Sequence, residues 1–149
     1  MKTEESIKAG MPELMTYIEE RSENIVRYSD KLSGALIAVD DYFEKIGPKA
    51  GIRFTDPEPF YSKVDECLGE KVNYRLSVRK DWGLYATPDN EYVGAVLVYE
   101  STRAIKKAAI KRLPEFIQLY ADALKGFEDE YKEIAEKADA IAAIFEERV

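Results

Sequence analysis

The sequence predicts an α+β fold in which two long amphipathic helices flank a short helix and a three-stranded antiparallel β-meander. Two observations carry this prediction. Apolar residues recur at every seventh position near both ends of the chain, as helices that pack along one seam require. Between those regions apolar and polar residues alternate, as in a strand with one buried face. We expect one domain spanning residues 1–149.

The first long helix is predicted over residues 11–46. Its apolar seam keeps an unbroken seven-residue period through Met11, Ile18, Ile25, Leu32, Val39 and Ile46. Gly47 and Pro48 follow directly. Glycine suits the left-handed position after a helix, and proline cannot continue one. The helix is therefore expected to stop at residue 46.

A short helix is predicted over residues 57–68, after the first long helix. Phe60, Val64 and Leu68 fall at helical spacing within it, and a glycine follows as an end signal. Cys67 is the single cysteine of the chain, so it cannot form an internal disulfide. We expect it to be a free, partly buried thiol.

The β-meander is predicted over residues 71–100. Its first strand alternates apolar and polar residues from Val72 to Val78. Turn-forming residues at 80–83 and 88–90 divide the remainder into two further strands, the last over 92–99.

The final helical segment is predicted over residues 102–146. One apolar seam runs through Leu113, Tyr120, Phe127, Ile134 and Ile141, and its companion through Ile110, Ile117, Leu124, Tyr131, Ala138 and Phe145. Pro114 lies near the start of this segment. Proline is comfortable only in a first turn, so the sequence leaves open one kinked helix or two helices that meet there.

Both long helices carry a wider apolar face than a two-helix seam needs. Tyr17 and Tyr28 widen the first helix, and Phe116 and Ile144 widen the second. A three-stranded sheet is too short to cover two helices of roughly 50 Å each. Because symmetric dimers are the commonest oligomers, we expect a homodimer that buries the excess apolar face in a helical bundle. The alternative is a compact monomer that bends at Pro114.

The composition excludes several classes of function. The 29 acidic and 22 basic residues give a formal net charge of -7, which argues against a generally basic nucleic-acid binder. The chain has no histidine, so histidine-based triads and histidine metal ligands are excluded. No P-loop or other catalytic or nucleotide-binding motif occurs. The sequence therefore leans against an enzyme, and it predicts no catalytic, cofactor-binding or metal-ligating residue and no cofactor.

No signal-peptide pattern and no apolar run of transmembrane length occur in the sequence. We therefore expect a soluble cytoplasmic protein that does not engage a membrane.

The charge is divided unevenly along the chain. Residues 71–112 carry a net charge of +5, whereas the segments before and after them each carry -6. The candidate partner-binding basic surface consists of Arg75, Arg79, Arg103, Lys106, Lys107, Lys111 and Arg112. Such a surface fits a protein partner or a small anionic ligand, and the acidic flanks disfavour a long nucleic acid. The alternative is a solvated basic face that pairs with the acidic helices of the same protein.

The aromatic residues of the predicted meander suggest a second kind of site. The candidate aromatic pocket between sheet and helices consists of Tyr74, Trp82, Tyr85, Tyr92 and Tyr99. Such residues also form the core of small α+β domains, and the sequence does not separate the two interpretations.

The leading functional hypothesis is a non-catalytic, self-associating module for protein interaction, assembly or regulation, with its partner surface at the sheet end. The alternative is a small-ligand binding or sensor domain that uses the aromatic pocket.

Overall fold

Across residues 4–79 and 81–148, the computed structural model shows an α+β protein with two helices and a five-stranded antiparallel sheet. The helices are α1 (Glu4–Ala50) and α2 (Arg103–Glu146). The strands are β1 (Phe54–Thr55), β2 (Tyr61–Val64), β3 (Lys71–Val78), β4 (Leu84–Pro88) and β5 (Val96–Leu97). A single 3-10 turn, Val98–Glu100, leads from β5 towards α2. The predicted α+β class with an antiparallel sheet is confirmed.

Helix α1 is longer than the predicted range of residues 11–46, and the predicted stop at Gly47 is wrong. Gly47 stays helical and lies directly under the ring of Trp82, which approaches so closely that no Cβ fits there. The helix ends at Gly51, whose φ of 70° is left-handed. The Gly51 N–H donates to the Gly47 carbonyl at 2.8 Å, which closes the last turn.

The predicted short helix over residues 57–68 is wrong, because the structure forms strand β2 there. β2 pairs antiparallel with β3, and a tight turn joins them. Within that turn the Asp65 carboxylate accepts the backbone N–H groups of Cys67 and Leu68, both at 3.0 Å. Cys67 is exposed rather than partly buried. Three apolar residues at helical spacing are too short a pattern to distinguish a helix from an edge strand, and here the segment pairs with β3 as a strand.

The predicted meander is present in part. β3, β4 and β5 pair in chain order, but the third strand covers only Val96–Leu97 instead of residues 92–99. β1 and β2 add to the other edge of β3, which places β3 inside the sheet. Of the predicted turn at 80–83, Lys80 lies outside the described residues.

Helix α2 is continuous across Pro114, so of the two alternatives that the sequence leaves open, the structure forms one helix rather than two. The helix begins after Thr102, whose hydroxyl accepts the Ile105 N–H at 3.3 Å. This side-chain cap satisfies one of the free N–H groups of the first turn.

The core lies between one face of the sheet and the inner faces of the two helices. Its buried apolar residues are Leu36, Phe43, Val72, Tyr74, Leu76, Val78, Leu84, Ala86, Val98, Ile105, Ala109, Leu113, Phe116 and Tyr120. On α1 they end at Leu36 towards the N-terminus, and on α2 they end at Tyr120 towards the C-terminus. The sheet therefore covers only the last part of α1 and the first part of α2.

A buried ion pair fixes α2 to the edge of the sheet. Asp56 follows β1 and is fully buried. The Arg112 guanidinium donates to both of its carboxylate oxygens, at 2.8 and 2.9 Å. Burial raises the pKa of Asp56, but the hydrogen bonds from Arg112 and from the Glu58 N–H outweigh that effect and hold the pKa below its usual value.

Two glycines of α1 provide a matched test of the Trp82 contact. At Gly47 a Cβ would lie 2.7 Å from the Trp82 ring, so Gly47→Ala should destabilise the fold by about 1–3 kcal/mol. At Gly34 nothing lies within 4 Å, so Gly34→Ala should stabilise the helix by about 1 kcal/mol. Urea unfolding measures both changes. A Gly47→Ala protein as stable as the Gly34→Ala protein would contradict the close packing of Trp82.

Arg112 pairs with the carboxylates of Asp56, Glu58 and Glu115, and the first and the last of these provide a second test. Arg112→Met leaves a buried carboxylate unpaired and should destabilise the fold by about 3–5 kcal/mol. Glu115→Gln removes only a partner whose side chain is 65% exposed, and should cost less than about 1 kcal/mol. Chemical denaturation compares the two variants. If both variants lost a similarly small amount of stability, the buried Asp56 carboxylate would not depend on Arg112 for its stabilisation.

Candidate assembly surface

Each helix extends beyond the sheet as a solvent-exposed arm. We call residues 4–31 the α1 arm and residues 128–148 the α2 arm. All side chains of the α2 arm are exposed, as are those from Gly10 to Lys31 on the α1 arm except the half-buried Asn24 and Ser29. At 1.5 Å per residue the arms are about 42 and 31 Å long.

The arms project from opposite ends of the molecule because α1 and α2 run parallel where they touch. The Lys106 ammonium donates to the Ser33 hydroxyl at 2.9 Å. Further along both helices, the rings of Phe43 and Tyr120 pack edge to face with centroids 5.1 Å apart. The contacts thus advance in the same direction on both helices. The α1 arm extends past the start of α2, and the α2 arm extends past the end of α1.

Each arm continues the helical face that its own helix buries in the core. Eighteen residues make five full turns of an α-helix, so residues that far apart point the same way. On α1, exposed Ile18 is related in this way to buried Leu36. On α2, exposed Ile134 is related to buried Phe116. The stripe that forms the core therefore continues along both arms with no part of the described chain covering it.

The large apolar side chains of the arms are about half exposed, between 43 and 69%. On the α1 arm they are Met11, Leu14, Met15, Tyr17, Ile18, Ile25, Val26 and Tyr28. On the α2 arm they are Tyr131, Ile134, Ile141, Ile144 and Phe145. This apolar exposure is far larger than scattered surface residues would give.

An apolar groove of about 290 Å³ lies between the two helices at the middle of the molecule. Its lining consists of Ala38, Val39, Tyr42, Phe43, Ile46, Ile117, Tyr120, Ala121 and Leu124. The buried hydroxyl of Tyr120 has no hydrogen-bond partner among the described residues. Exposed Tyr42 and Ile117 border the groove, so its apolar surface joins the exposed faces of both helices.

Four of the seven predicted basic residues make contacts within the chain. Arg112 pairs with Asp56, and Lys106 donates to Ser33. The Arg75 guanidinium donates to a backbone carbonyl, that of Pro57. Arg79 lies over the ring of Tyr85, 5.4 Å from its centroid.

The other three, Arg103, Lys107 and Lys111, form an exposed stripe on α2. Each precedes a buried residue of α2 by two positions, so the stripe lies on the side of the helix that faces away from the sheet. Arg79 directly follows β3 and packs on Tyr85 of β4, on the outer face of the sheet. Of the seven residues, Arg75 and Arg112 come together at Asp56, whose pKa both of them lower, whereas Arg79 contacts Tyr85 and the stripe lies on the outer side of α2.

The five predicted aromatic residues are also distributed over separate places. Tyr74 is buried on the core face of β3, whereas Tyr85 is on the opposite face of the sheet, because it pairs with Ser77. Trp82 packs on α1, and Tyr92 is 81% exposed in a loop. Tyr99 lies half-buried in the 3-10 turn. These residues do not line one common cavity.

An open depression of about 690 Å³ lies on the outer face of the sheet. Arg79, Asp81, Tyr85 and Ala95 line it. The Tyr85 hydroxyl donates to the Asp81 carboxylate, and this hydrogen bond raises the pKa of Tyr85 to about 12. Tyr85 is therefore protonated at neutral pH and is committed to a contact within the chain.

Three carboxylates of α1 meet at one place, and within the described residues they are the one group that could hold a metal ion. Oxygens of Asp40, Asp41 and Glu44 all lie within 4.8 Å of one another. Asp40 is buried and accepts the Leu84 N–H at 2.8 Å, so it also joins α1 to β4. A hydrogen bond with Asp40 and repulsion from Asp40, Asp41 and Asp81 raise the pKa of Glu44.

Sequence reasoning missed three features that decide the surface. The first is the ion pair of Asp56 and Arg112, which lie 56 positions apart, because nothing in the sequence pairs them. The second is the parallel packing of the helices, which depends on how the strands that connect them along the chain fold into the sheet. The groove at Tyr120 depends in turn on that packing, so neither feature leaves a local sequence signal.

No protein-family model, curated protein or solved structure matches the chain. Neither helix of the described residues combines the length and apolarity that crossing a membrane requires.

The raised pKa of Glu44 gives a pH prediction. A carboxyl whose folded-state pKa is raised favours folding when protonated, and this contribution is lost as the pH rises through that pKa. Glu44→Gln removes the repulsion from Asp40, Asp41 and Asp81. The variant should melt at a higher temperature than the parent at pH 7, and the difference should vanish below the ordinary glutamate pKa of 4.5.

Thermal melts across this pH range measure the difference. Glu91→Gln, in an exposed loop, is the control for the loss of one negative charge. A Glu44→Gln protein that melts at or below the parent temperature at pH 7 would contradict the repulsion.

Proposed function

We propose that the protein is a non-catalytic, self-associating assembly module and that two copies form a homodimer through their helical arms. The observation that carries this proposal is the apolar stripe that continues from the core along both arms. The hydrophobic effect favours the removal of such a stripe from water.

The apolar surface on the arms is large enough for a stable dimer. Fully burying an aromatic side chain removes roughly 150–250 Å² from water, and a large aliphatic one roughly 60–120 Å². The four aromatic and nine aliphatic side chains of the arms are about half exposed, so together they offer on the order of 900 Å² per copy. A standard specific interface buries about 800 Å² per partner. The arms alone therefore supply the area that a stable dimer needs.

A second copy is favoured over closure within one chain. The two arms of one chain point in opposite directions, so they cannot cover each other while α1 and α2 keep their contacts. The bent monomer would require a break at Pro114, where α2 is continuous. A second copy brings two further arms with the same stripes.

The exposed stripe of Arg103, Lys107 and Lys111 supports a second, polar contact surface on the same module. These three residues form no ion pair with another residue of the described chain. An acidic protein surface or a small anionic ligand fits their chemistry. The exposed thiol of Cys67 is compatible with the reducing cytoplasm that we propose as the site of action.

The homodimer is tested by charge substitution on the stripe. The parent protein should have twice the chain mass of 17.0 kDa in size-exclusion chromatography with light scattering. Ile18→Glu or Ile134→Glu would bury an unpaired charge in the interface and should weaken association at least about 100-fold, or about 2.7 kcal/mol. Thr16→Glu lies on the opposite side of the α1 arm and is the matched control.

A parent protein that stays monomeric at high concentration would overturn the proposal. So would dissociation by Thr16→Glu and Ile18→Glu to the same extent. Native mass spectrometry separates the alternative function: a monomer with a stoichiometric extra mass would favour a small-ligand binding domain, with the groove at Tyr120 as its site.

A further inference from the structure

We propose that the homodimer is antiparallel, with the α1 arm of each copy packed along the α2 arm of its partner. This inference rests on the proposed function, because it specifies how two copies cover each other's arms. It follows from the direction of the helices, the lengths of the arms and the position of the groove.

The direction of the helices sets the first condition. Within one chain the α1 arm extends from one end of the molecule and the α2 arm from the other. A two-fold axis perpendicular to the helices exchanges these ends. It places the α1 arm of one copy beside the α2 arm of the other at both ends of the dimer, with the paired helices running in opposite directions.

The lengths of the arms fit this arrangement. The 28 residues of the α1 arm and the 21 residues of the α2 arm are about 42 and 31 Å long. When the tips lie side by side, each arm covers most of its partner. One repeated, self-complementary contact then covers all four arms, which is the property of a closed two-fold interface.

Two other pairings leave apolar surface exposed. If the α1 arms pair with each other, Ile134 and Ile141 of both α2 arms stay in water. If the α2 arm of one copy pairs with the α1 arm of a copy that points the same way, every added copy leaves a new uncovered arm. That contact produces an open filament rather than a dimer.

The groove between the helices also fits the two-fold arrangement. It lies at the level of Phe43 and Tyr120, near the middle of the helix pair and hence close to the proposed axis. Tyr28 lies two heptads before Tyr42, on the same side of α1, and both are exposed. The apolar surface thus continues from the groove onto the arm. The proposed dimer requires this continuity, because all four helices meet at its middle and one α1 arm pairs with one α2 arm at each end.

Cysteine cross-linking distinguishes the arrangements. In a Cys67→Ser background, one variant carries Met11→Cys and Ile141→Cys, which places thiols at both tips. The matched variant carries Ile25→Cys and Ile141→Cys. Residues 11 and 25 are about 21 Å apart along the α1 arm, and residues 11 and 141 of one chain are on the order of 80 Å apart. A short bismaleimide linker can therefore join tips only between chains.

In the antiparallel dimer most of the tip-to-tip variant should become a covalent dimer on denaturing gels, while the matched variant should remain monomeric there. Ladders from the matched variant would instead show the head-to-tail contact, and dimers from Ile18→Cys alone would show paired α1 arms. Either result, or a dimer that no pair cross-links, would overturn the antiparallel arrangement. Light scattering on the same Cys67→Ser proteins measures their mass without cross-linking. A monomeric mass would contradict the proposed function itself, whereas a dimeric mass without the expected cross-link would contradict only the antiparallel arrangement.

Discussion

The difference in length between the helices and the sheet governs this structure. Helices α1 and α2 contain 47 and 44 residues, or about 70 and 66 Å, whereas the longest strand contains eight residues and spans about 26 Å. One sheet face can cover only part of each helix. Because the helices run parallel and are offset, the uncovered part of α1 and that of α2 lie at opposite ends. The core, the groove and the two arms all follow from this offset.

The same apolar pattern therefore has two outcomes along one helix. Leu36 and Phe43 are buried because the sheet and α2 lie against them, whereas Ile18 and Ile25 have the same spacing and remain exposed. Periodicity specifies which face of a helix is apolar, but it does not specify what covers that face. The ion pair of Asp56 and Arg112 and the Asp40 hydrogen bond to Leu84 attach the helices to the sheet at the covered part only.

Long, repeated signals were predictable from the sequence, and short or non-local features were not. The heptad seams predicted both long helices, and the alternation from Val72 to Val78 predicted β3, because each pattern extends over several repeats. Gly47 and Pro48 gave a local stop signal that the packing of Trp82 on α1 overrode. Phe60, Val64 and Leu68 gave a helical spacing that pairing with β3 overrode. The members of the basic and aromatic sets are near one another in the sequence, but the two faces of the sheet and the two sides of α2 separate many of them in the structure.

The charge of the arms constrains any assembly that they form. The α1 arm carries a net charge of -3 and the α2 arm a net charge of -5, so paired arms repel each other through their polar faces. Apolar burial has to exceed that repulsion before two copies associate. Acidic polar faces around an apolar stripe also disfavour contact at any place where the stripes do not meet, since such contact brings like charges together without burying apolar surface. The apolar stripe therefore provides the attraction between two copies. The acidic faces restrict stable association to those relative positions in which the stripes meet.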